Sequence, residues 1–241
     1  MIVFEGRGDR RSNCRSDAGP FVHYDSIEKR ASRMAEEAHG WNNTGEVERS
    51  IMNNETIVIV SGLPRSGTSM MMRMLTAGGI EALTDNLRTA DEDNPKGYFE
   101  FEKVKELEKD DSWLADARGK AVKIISKLLK HLPARYSYRV IFMRRKMDEI
   151  LASQRQMLIR RGEPADTISD RRMAEIFERH LKDVQAWLEN QPNIEVIYVD
   201  YNETLADPSP SIERINEFLG GGLDASAMMD VVEKALYRQQ R

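Results

Sequence analysis

A β-branched run, Thr56-Ile57-Val58-Ile59-Val60-Ser61, leads straight into the turn Gly62-Leu63-Pro64-Arg65-Ser66-Gly67-Thr68-Ser69, and a helical pattern follows from Thr68 to Ala77 before Gly78-Gly79. Continuous apolar, β-branched character is what a strand buried on both faces requires, because neither side can carry alternating polar residues. A glycine-bearing turn that opens a helix brings backbone amides and the positive end of the helix dipole to one place, which is a cradle for an anion. This one segment therefore predicts a strand inside a parallel sheet, with a phosphate-type group bound at its carboxyl end.

The remainder of the chain extends that pattern. Arg139-Val140-Ile141-Phe142-Met143 and Ile194 to Val199 read as further strands. Helical patterns cover Phe101 to Asp110, Met147 to Arg160, Ser169 to Glu189, Asp207-Pro208 to Leu219 and about Asp224 to Tyr237, with Gly220-Gly221-Gly222 closing the fourth of them. Strands alternating with helices predict an α/β fold, a P-loop-type parallel β-sheet flanked by helices on both faces. Residues 1–51 differ in composition, with five glycines, many charges and helical character confined to Ser26–His39. They are expected to form a helical or mobile N-terminal leader ahead of one α/β domain spanning 52–241.

Charge and cysteine content narrow the function classes. The 36 basic and 40 acidic residues give a net charge of −4, which excludes a generally polybasic nucleic-acid binder but leaves room for a local cationic pocket. One cysteine, Cys14, permits no intrachain disulfide and no cysteine-based zinc cluster. No apolar run approaches the roughly 18 residues of a membrane span, and no signal-peptide core is visible, so a cytoplasmic location is expected. His23, His39 and His180 have no metal-ligand spacing, and no metal is expected.

The loop departs from the nucleoside-triphosphatase form G-x-x-x-x-G-K-[ST] at an informative place. Gly62 and Gly67 fit, but Thr68 stands where the lysine belongs, and the cation sits earlier, at Arg65. Without that lysine the loop lacks the charge that reaches a transferred phosphate, so an ordinary kinase or nucleotide hydrolase is the second reading, with Asp200 posing as its magnesium-binding aspartate. A non-catalytic nucleotide-binding module is the third.

The form G-x-P-R-S-G-T resembles the 5′-phosphosulfate loop of sulfotransferases that use 3′-phosphoadenosine-5′-phosphosulfate (PAPS), in particular the tyrosylprotein and bacterial branches. Asn94-Pro95-Lys96-Gly97-Tyr98-Phe99-Glu100 resembles a segment common downstream of that loop in bacterial members, and Tyr201 to Leu205, Asp207-Pro208 and Phe218-Leu219-Gly220 are similar to a later run. The resemblance implies a sulfuryl transfer from PAPS to a hydroxyl or amine acceptor. It implies that Pro64, Arg65, Ser66, Gly67, Thr68 and Ser69 hold the 5′-phosphosulfate. It also implies an arginine after a strand and a serine eight positions on for the ribose 3′-phosphate, which gives Arg145 and Ser153, with Arg144 an alternative by one residue. Tyr201 and Arg238 are further candidate contacts to the donor.

For the chemistry, Arg65 is the first candidate because it projects from the loop. Asp85 falls where the tyrosylprotein branch carries its acidic base, with Asp91, Glu92 and Asp93 as competitors. Lys123, in Val122-Lys123-Ile124-Ile125, matches in part a lysine that many members carry on the strand before the arginine-bearing strand. His131, in Lys130-His131-Leu132-Pro133, is the alternative base. The segments 80–100 and 160–172 are expected to wall the acceptor, and Gly162-Glu163-Pro164 marks a loop in the second.

Overall fold

The computed structural model describes residues 55–85, 99–165 and 168–232. The leader, Asp91 to Asp93 and Arg238 lie outside these residues. Four strands, β1 (Ile57–Gly62), β2 (Ala121–Lys123), β3 (Tyr138–Arg144) and β4 (Ile194–Asp200), form one parallel sheet in the order β2-β1-β3-β4. The helices are α1 (Thr68–Ala77), α2 (Met147–Arg160), α3 (Asp170–Leu188), α4 (Tyr201–Ala206), α5 (Pro208–Phe218) and α6 (Ala225–Val231).

Every residue of β1 is buried, and alternate residues feed two separate cores. Val58 and Val60 pack with Met70, Met71, Met74 and Leu75 of α1 and with Leu205, Ile212, Ile215 and Met228 of the C-terminal helices. Ile57 and Ile59 point the other way, toward Trp113, Leu114, Leu129 and the α3 residues Val184 and Leu188. The period-two geometry of a strand thus converts a featureless apolar run into two helix-covered faces. Asp200, Asp207 and Asp224 each cap a helix by accepting from a backbone N–H of its first turn, which fixes where the chain re-enters the C-terminal helical layer.

Strand order decides where a ligand can sit. The chain leaves β1 for β2 on one side and then crosses to β3 on the other side of β1, so a crevice opens between the carboxyl ends of β1 and β3. Gly62 pairs with Met143 at that edge, which sets the loop after β1 beside the residues after β3.

Two elements differ from the sequence reading. β2 is a strand of three residues, too short to be read from pattern alone. The segment predicted as a helix over Phe101 to Asp110 is a 3₁₀ turn at Glu102–Glu106 instead. Its apolar anchors Phe101, Val104 and Leu107 recur at a spacing of three, the 3₁₀ period, and Phe101 seats edge-on against Trp113 with ring centroids 5.4 Å apart.

Candidate functional site

The phosphate-type loop is built around glycines that no other residue replaces. Gly62 has φ +143°, and a Cβ there would stand 2.5 Å from Ser66 Oγ and 2.7 Å from the Met143 carbonyl. Gly67 has φ +99°, and its Cβ would stand 2.3 Å from Tyr201 Cδ2. Gly67 serves as N-cap of α1 without a side-chain bond to the first-turn amides, so the helix start carries no side-chain acceptor of its own. The hydroxyls of Ser61 and Ser66 are buried and have no hydrogen-bond partner among the described residues. Buried polar groups are ordinarily satisfied, and two unsatisfied hydroxyls beside a helix start with no side-chain cap suit a cradle for an anion. Pro64 is exposed at the loop tip, and Thr68 and Ser69 are half-buried at the helix start.

Arg65 occupies the left-handed region, with φ +73°, a conformation that costs a non-glycine residue about 1–2 kcal/mol. Two contacts hold it there. Arg145 donates from Nη1 to the Arg65 carbonyl at 3.0 Å, and Arg65 donates from Nε to Ser153 Oγ at 2.8 Å. The loop, the residue after β3 and the second turn of α2 are thus joined directly. Of the two arginines left open by the sequence, Arg145 is the one that faces the loop; Arg144 is exposed and stacks on Tyr198, 3.9 Å from the ring centroid.

Arg145 is itself fixed. Its Nε donates to Glu149 Oε2 at 3.0 Å, one helical turn on, and the Glu149 side chain is fully buried. Asn202 donates from Nδ2 to Glu149 Oε1 at 2.9 Å. The Arg145 guanidinium also covers the Tyr201 ring, 4.6 Å from its centroid. Tyr201 is therefore a buried spacer between the loop at Gly67 and Arg145, and burial pushes its hydroxyl pKa up against the opposing effect of Arg145 and Arg73. Glu149 and Asn202 were not singled out in the sequence. The i,i+4 spacing of Arg145 and Glu149 was a usable signal for the first; nothing local marks the second.

A cleft of about 290 Å³ opens beside the loop, lined by Leu63, Ser66, Arg145, Lys146 and, from α3, Leu181 and Gln185. Apolar Leu63, Phe142 and Leu181 share its lining with the cations Arg145 and Lys146 and with Asp200, a mixture that can take a ring carrying anionic groups.

Lys123 and Asp85 stand on the β2 side. Lys123 ends β2, in register with Val60, and its largely buried Nζ lies 3.6 Å from Glu100 Oε1. Asp85 accepts from the Glu102 backbone N–H at 2.6 Å, and its own N–H donates to the Glu100 carbonyl. Glu100 thus joins these two candidates. His131 is exposed at the end of a 3₁₀ turn leading to the amino end of β3. His180 of α3 pairs with Ser126, Nε2 to Oγ 2.9 Å. Asp200 is engaged as the α4 cap, accepting from the N–H groups of Asn202 and Glu203, and its strand is separated from β1 by β3. Among the described residues, no group of three or more His, Cys, Asp or Glu is placed to hold a metal ion, and no helix is long and apolar enough to cross a membrane.

Among solved structures, the chain is similar to the sulfotransferase domain from the olefin synthase of Synechococcus PCC 7002, at 15% identity with 83% of each chain covered and a TM-score of 0.48. It is similar to sulfotransferase STF1 from Mycobacterium tuberculosis H37Rv, at 19% identity over 79% of this chain and 75% of that one, TM-score 0.48. It is also similar to mouse sulfotransferase SULT7A1 complexed with PAP, at 18% identity over 76% and 65%, TM-score 0.43. No curated protein matches the chain. The model of the sulfotransferase domain family matches residues 55–241, a span that holds the loop, Lys123, Arg145, Ser153 and Tyr201 in order, and the chain belongs to the sulfotransferase family, an enzyme of sulfuryl transfer.

Proposed function

We propose that the sulfuryl donor is PAPS and that the acceptor is a hydroxyl or an amine. The observation that carries this reading is the direct junction of two anion-type sites: Arg145 bonds to the backbone of Arg65 within the glycine loop, and the Arg65 side chain bonds to Ser153. One adenosine nucleotide with phosphates at both ends of its ribose spans such a pair, whereas a singly phosphorylated nucleotide uses half of it. The loop amides with Ser66, Thr68 and Ser69 take the 5′-phosphosulfate. Arg145 and Ser153 take the ribose 3′-phosphate, an arginine fork and a hydroxyl donor being suited to a dianion.

In the transfer, the bond between sulfur and the bridging phosphate oxygen breaks as the acceptor oxygen or nitrogen bonds to sulfur. The acceptor proton goes to a base, and the electron pair of the broken bond goes to the departing nucleotide. Negative charge grows on the leaving oxygen, so a nearby cation and correct positioning supply most of the rate. Arg65 and Lys123 are the cations we assign to this task, and Asp85 is the base. Tyr201 supports the loop from behind, and we retain Arg238, outside the described residues, as a further donor contact. We assign the catalytic unit to a single domain of residues 52–241 acting in the cytoplasm.

Calorimetric titration tests the donor. Adenosine 3′,5′-bisphosphate is expected to bind about tenfold or more tightly than 5′-AMP, since the extra phosphate gains charge-assisted hydrogen bonds. Arg145→Ala is expected to remove most of that difference. Equal affinities for the two nucleotides in the wild type would overturn the reading.

A further inference from the structure

Among the described residues, Arg65 and Phe99 are the two other than glycine with positive φ, at +73° and +51°. The contacts with Arg145 and Ser153 hold the first. A bulky residue in left-handed backbone is an outlier that persists where its surroundings over-determine it, and such residues gather at functional sites. At Phe99 the cause is the path of the chain around one side of the sheet. β2 is the outermost of the four strands on that side. Phe99 packs against the core that holds Val58 and Val60, whereas Phe101 packs against the core that holds Ile57 and Ile59. In extended backbone, residues two apart share a face, so the chain has to turn between these two rings. Glu100 stands at that turn. Its carbonyl accepts from Thr84 Oγ1 at 2.9 Å and from the Asp85 N–H at 3.4 Å, and its side chain reaches Lys123 Nζ at 3.6 Å. A parallel bridge between Ala82 and Ala121 runs Thr84 and Asp85 alongside β2 toward Lys123.

We infer that Glu100 is a positioning residue for Lys123, and that the left-handed turn at Phe99 aims it. A lysine ammonium on its four-carbon stem samples many rotamers, and ordering it costs entropy. The Glu100 carboxylate holds that ammonium at the carboxyl end of β2 before transfer begins, so the cation is already in place when charge develops. The Glu100 carbonyl holds the Asp85 backbone as well. One turn therefore sets the spacing between the cation and the base assigned above. Glu100 takes no proton from the acceptor; that task stays with Asp85. This rests on the assignment of Lys123 and Asp85 to the transfer.

The test combines lysine labelling with turnover, both in the full chain. Lys123 is nearly buried and paired, so reductive methylation read by mass spectrometry is expected to modify it slowly without nucleotide. Glu100→Gln is expected to speed that modification severalfold. Phe99→Ala removes the aromatic anchor but keeps a Cβ at positive φ, and is expected to speed it as much. Phe99→Gly removes the same ring yet holds left-handed backbone without strain, and is expected to stay nearer to wild type. Loss of packing alone would not place glycine ahead of alanine. In conversion of PAPS to adenosine 3′,5′-bisphosphate with a panel of phenols, alcohols and amines, Glu100→Gln is expected to lose about tenfold. It keeps the acid limb of the wild-type pH profile, and it adds no further loss to Lys123→Met. Unchanged labelling and turnover in Glu100→Gln, or losses that multiply with those of Lys123→Met, would overturn this inference alone. So would disappearance of the acid limb, which would make Glu100 the base, or labelling of Phe99→Gly as fast as that of Phe99→Ala. Normal turnover in Lys123→Met would overturn the assignment beneath the inference, and the inference with it. Thermal unfolding of Glu100→Gln, expected to stay close to wild type, separates these effects from misfolding.

Discussion

Arg145 and Glu149 form an ion pair of 3.0 Å in which the carboxylate is fully buried and the guanidinium nearly so. Asn202 satisfies the other carboxylate oxygen, so neither charge is left exposed to a partnerless interior. Taking one member away is far more costly than replacing both, because the survivor is stranded in a poorly solvated site. Glu149→Ala is expected to lose about 3–5 kcal/mol of stability in urea unfolding. The paired replacement Arg145→Met with Glu149→Leu is expected to lose clearly less. A double replacement as unstable as Glu149→Ala would show that the pair is not the source of the cost.

Gly67 and Gly79 have nearly the same backbone, φ +99° and +104°, but different surroundings. A Cβ at Gly67 collides with the Tyr201 ring, whereas at Gly79 nothing lies within 4 Å. Gly79→Ala is therefore expected to cost about 1 kcal/mol, the backbone penalty alone. Gly67→Ala adds a clash with a ring that is itself held by Arg145, and is expected to destabilise by several times as much, about 3 kcal/mol or more, and to abolish nucleotide binding. Adding Tyr201→Ala to Gly67→Ala should recover part of the loss in thermal unfolding, but not the backbone part.

How much of this was legible beforehand follows from how local each cause is. The strand β1, its glycine turn and α1 are contiguous, and their signals, β-branching and glycine placement, act within a few residues. Lys123 was harder. β2 owes its strand character to pairing with β1 through Val58–Ala121 and Val60–Lys123, and three residues carry no period of their own. The charged stretch Glu102-Lys103-Val104-Lys105-Glu106 has helical composition, yet its anchors are spaced for a 3₁₀ turn, and the Phe101–Trp113 contact decided in favour of spacing. Within the site, Arg145 and Ser153 are only eight residues apart, an interval that the resemblance implies, with Arg145 in the turn between β3 and α2 and Ser153 on α2. The Arg65–Ser153 bond joins residues 88 apart and the Asn202–Glu149 bond residues 53 apart, so only the assembled sheet brings them together.

His180 gives the stability a pH dependence. Burial pushes its pKa below the usual histidine range, with Lys130 and Lys127 acting the same way and Asp183 opposing, while its ring nitrogen pairs with the buried Ser126 hydroxyl. The unfolded chain takes up the proton at about pH 6.5 and the folded one at lower pH. This group's contribution is therefore full above about pH 6.5, is lost as pH falls toward the folded value, and changes no further below it. In urea unfolding at about pH 7.5 and about pH 5.5, His180→Asn is expected to narrow the difference between the two midpoints seen in the wild type. An unchanged difference would assign the acid sensitivity to other groups.

Lys123 and Asp85 flank Glu100 from different elements, and that separation lets their tasks be told apart. Lys123 is a nearly buried cation at the carboxyl end of β2, 3.6 Å from a half-buried carboxylate. Under the assignment proposed above, its task is to meet charge that develops during transfer rather than to bind the resting nucleotide. Lys123→Met is expected to lower conversion of PAPS to adenosine 3′,5′-bisphosphate, measured over a panel of phenols, alcohols and amines, by roughly 10²–10³-fold. Affinity for the bisphosphate should change little. Asp85→Asn keeps an oxygen able to accept from the Glu102 N–H, so the turn survives while the basic group is lost, and a fall of roughly 10²–10⁴ in turnover is expected. If Asp85→Asn turns over normally while Glu100→Gln does not, the base is Glu100, the carboxylate already paired with Lys123. If Lys123→Met weakens bisphosphate binding as much as turnover, its role is to hold the donor and not to assist the transfer.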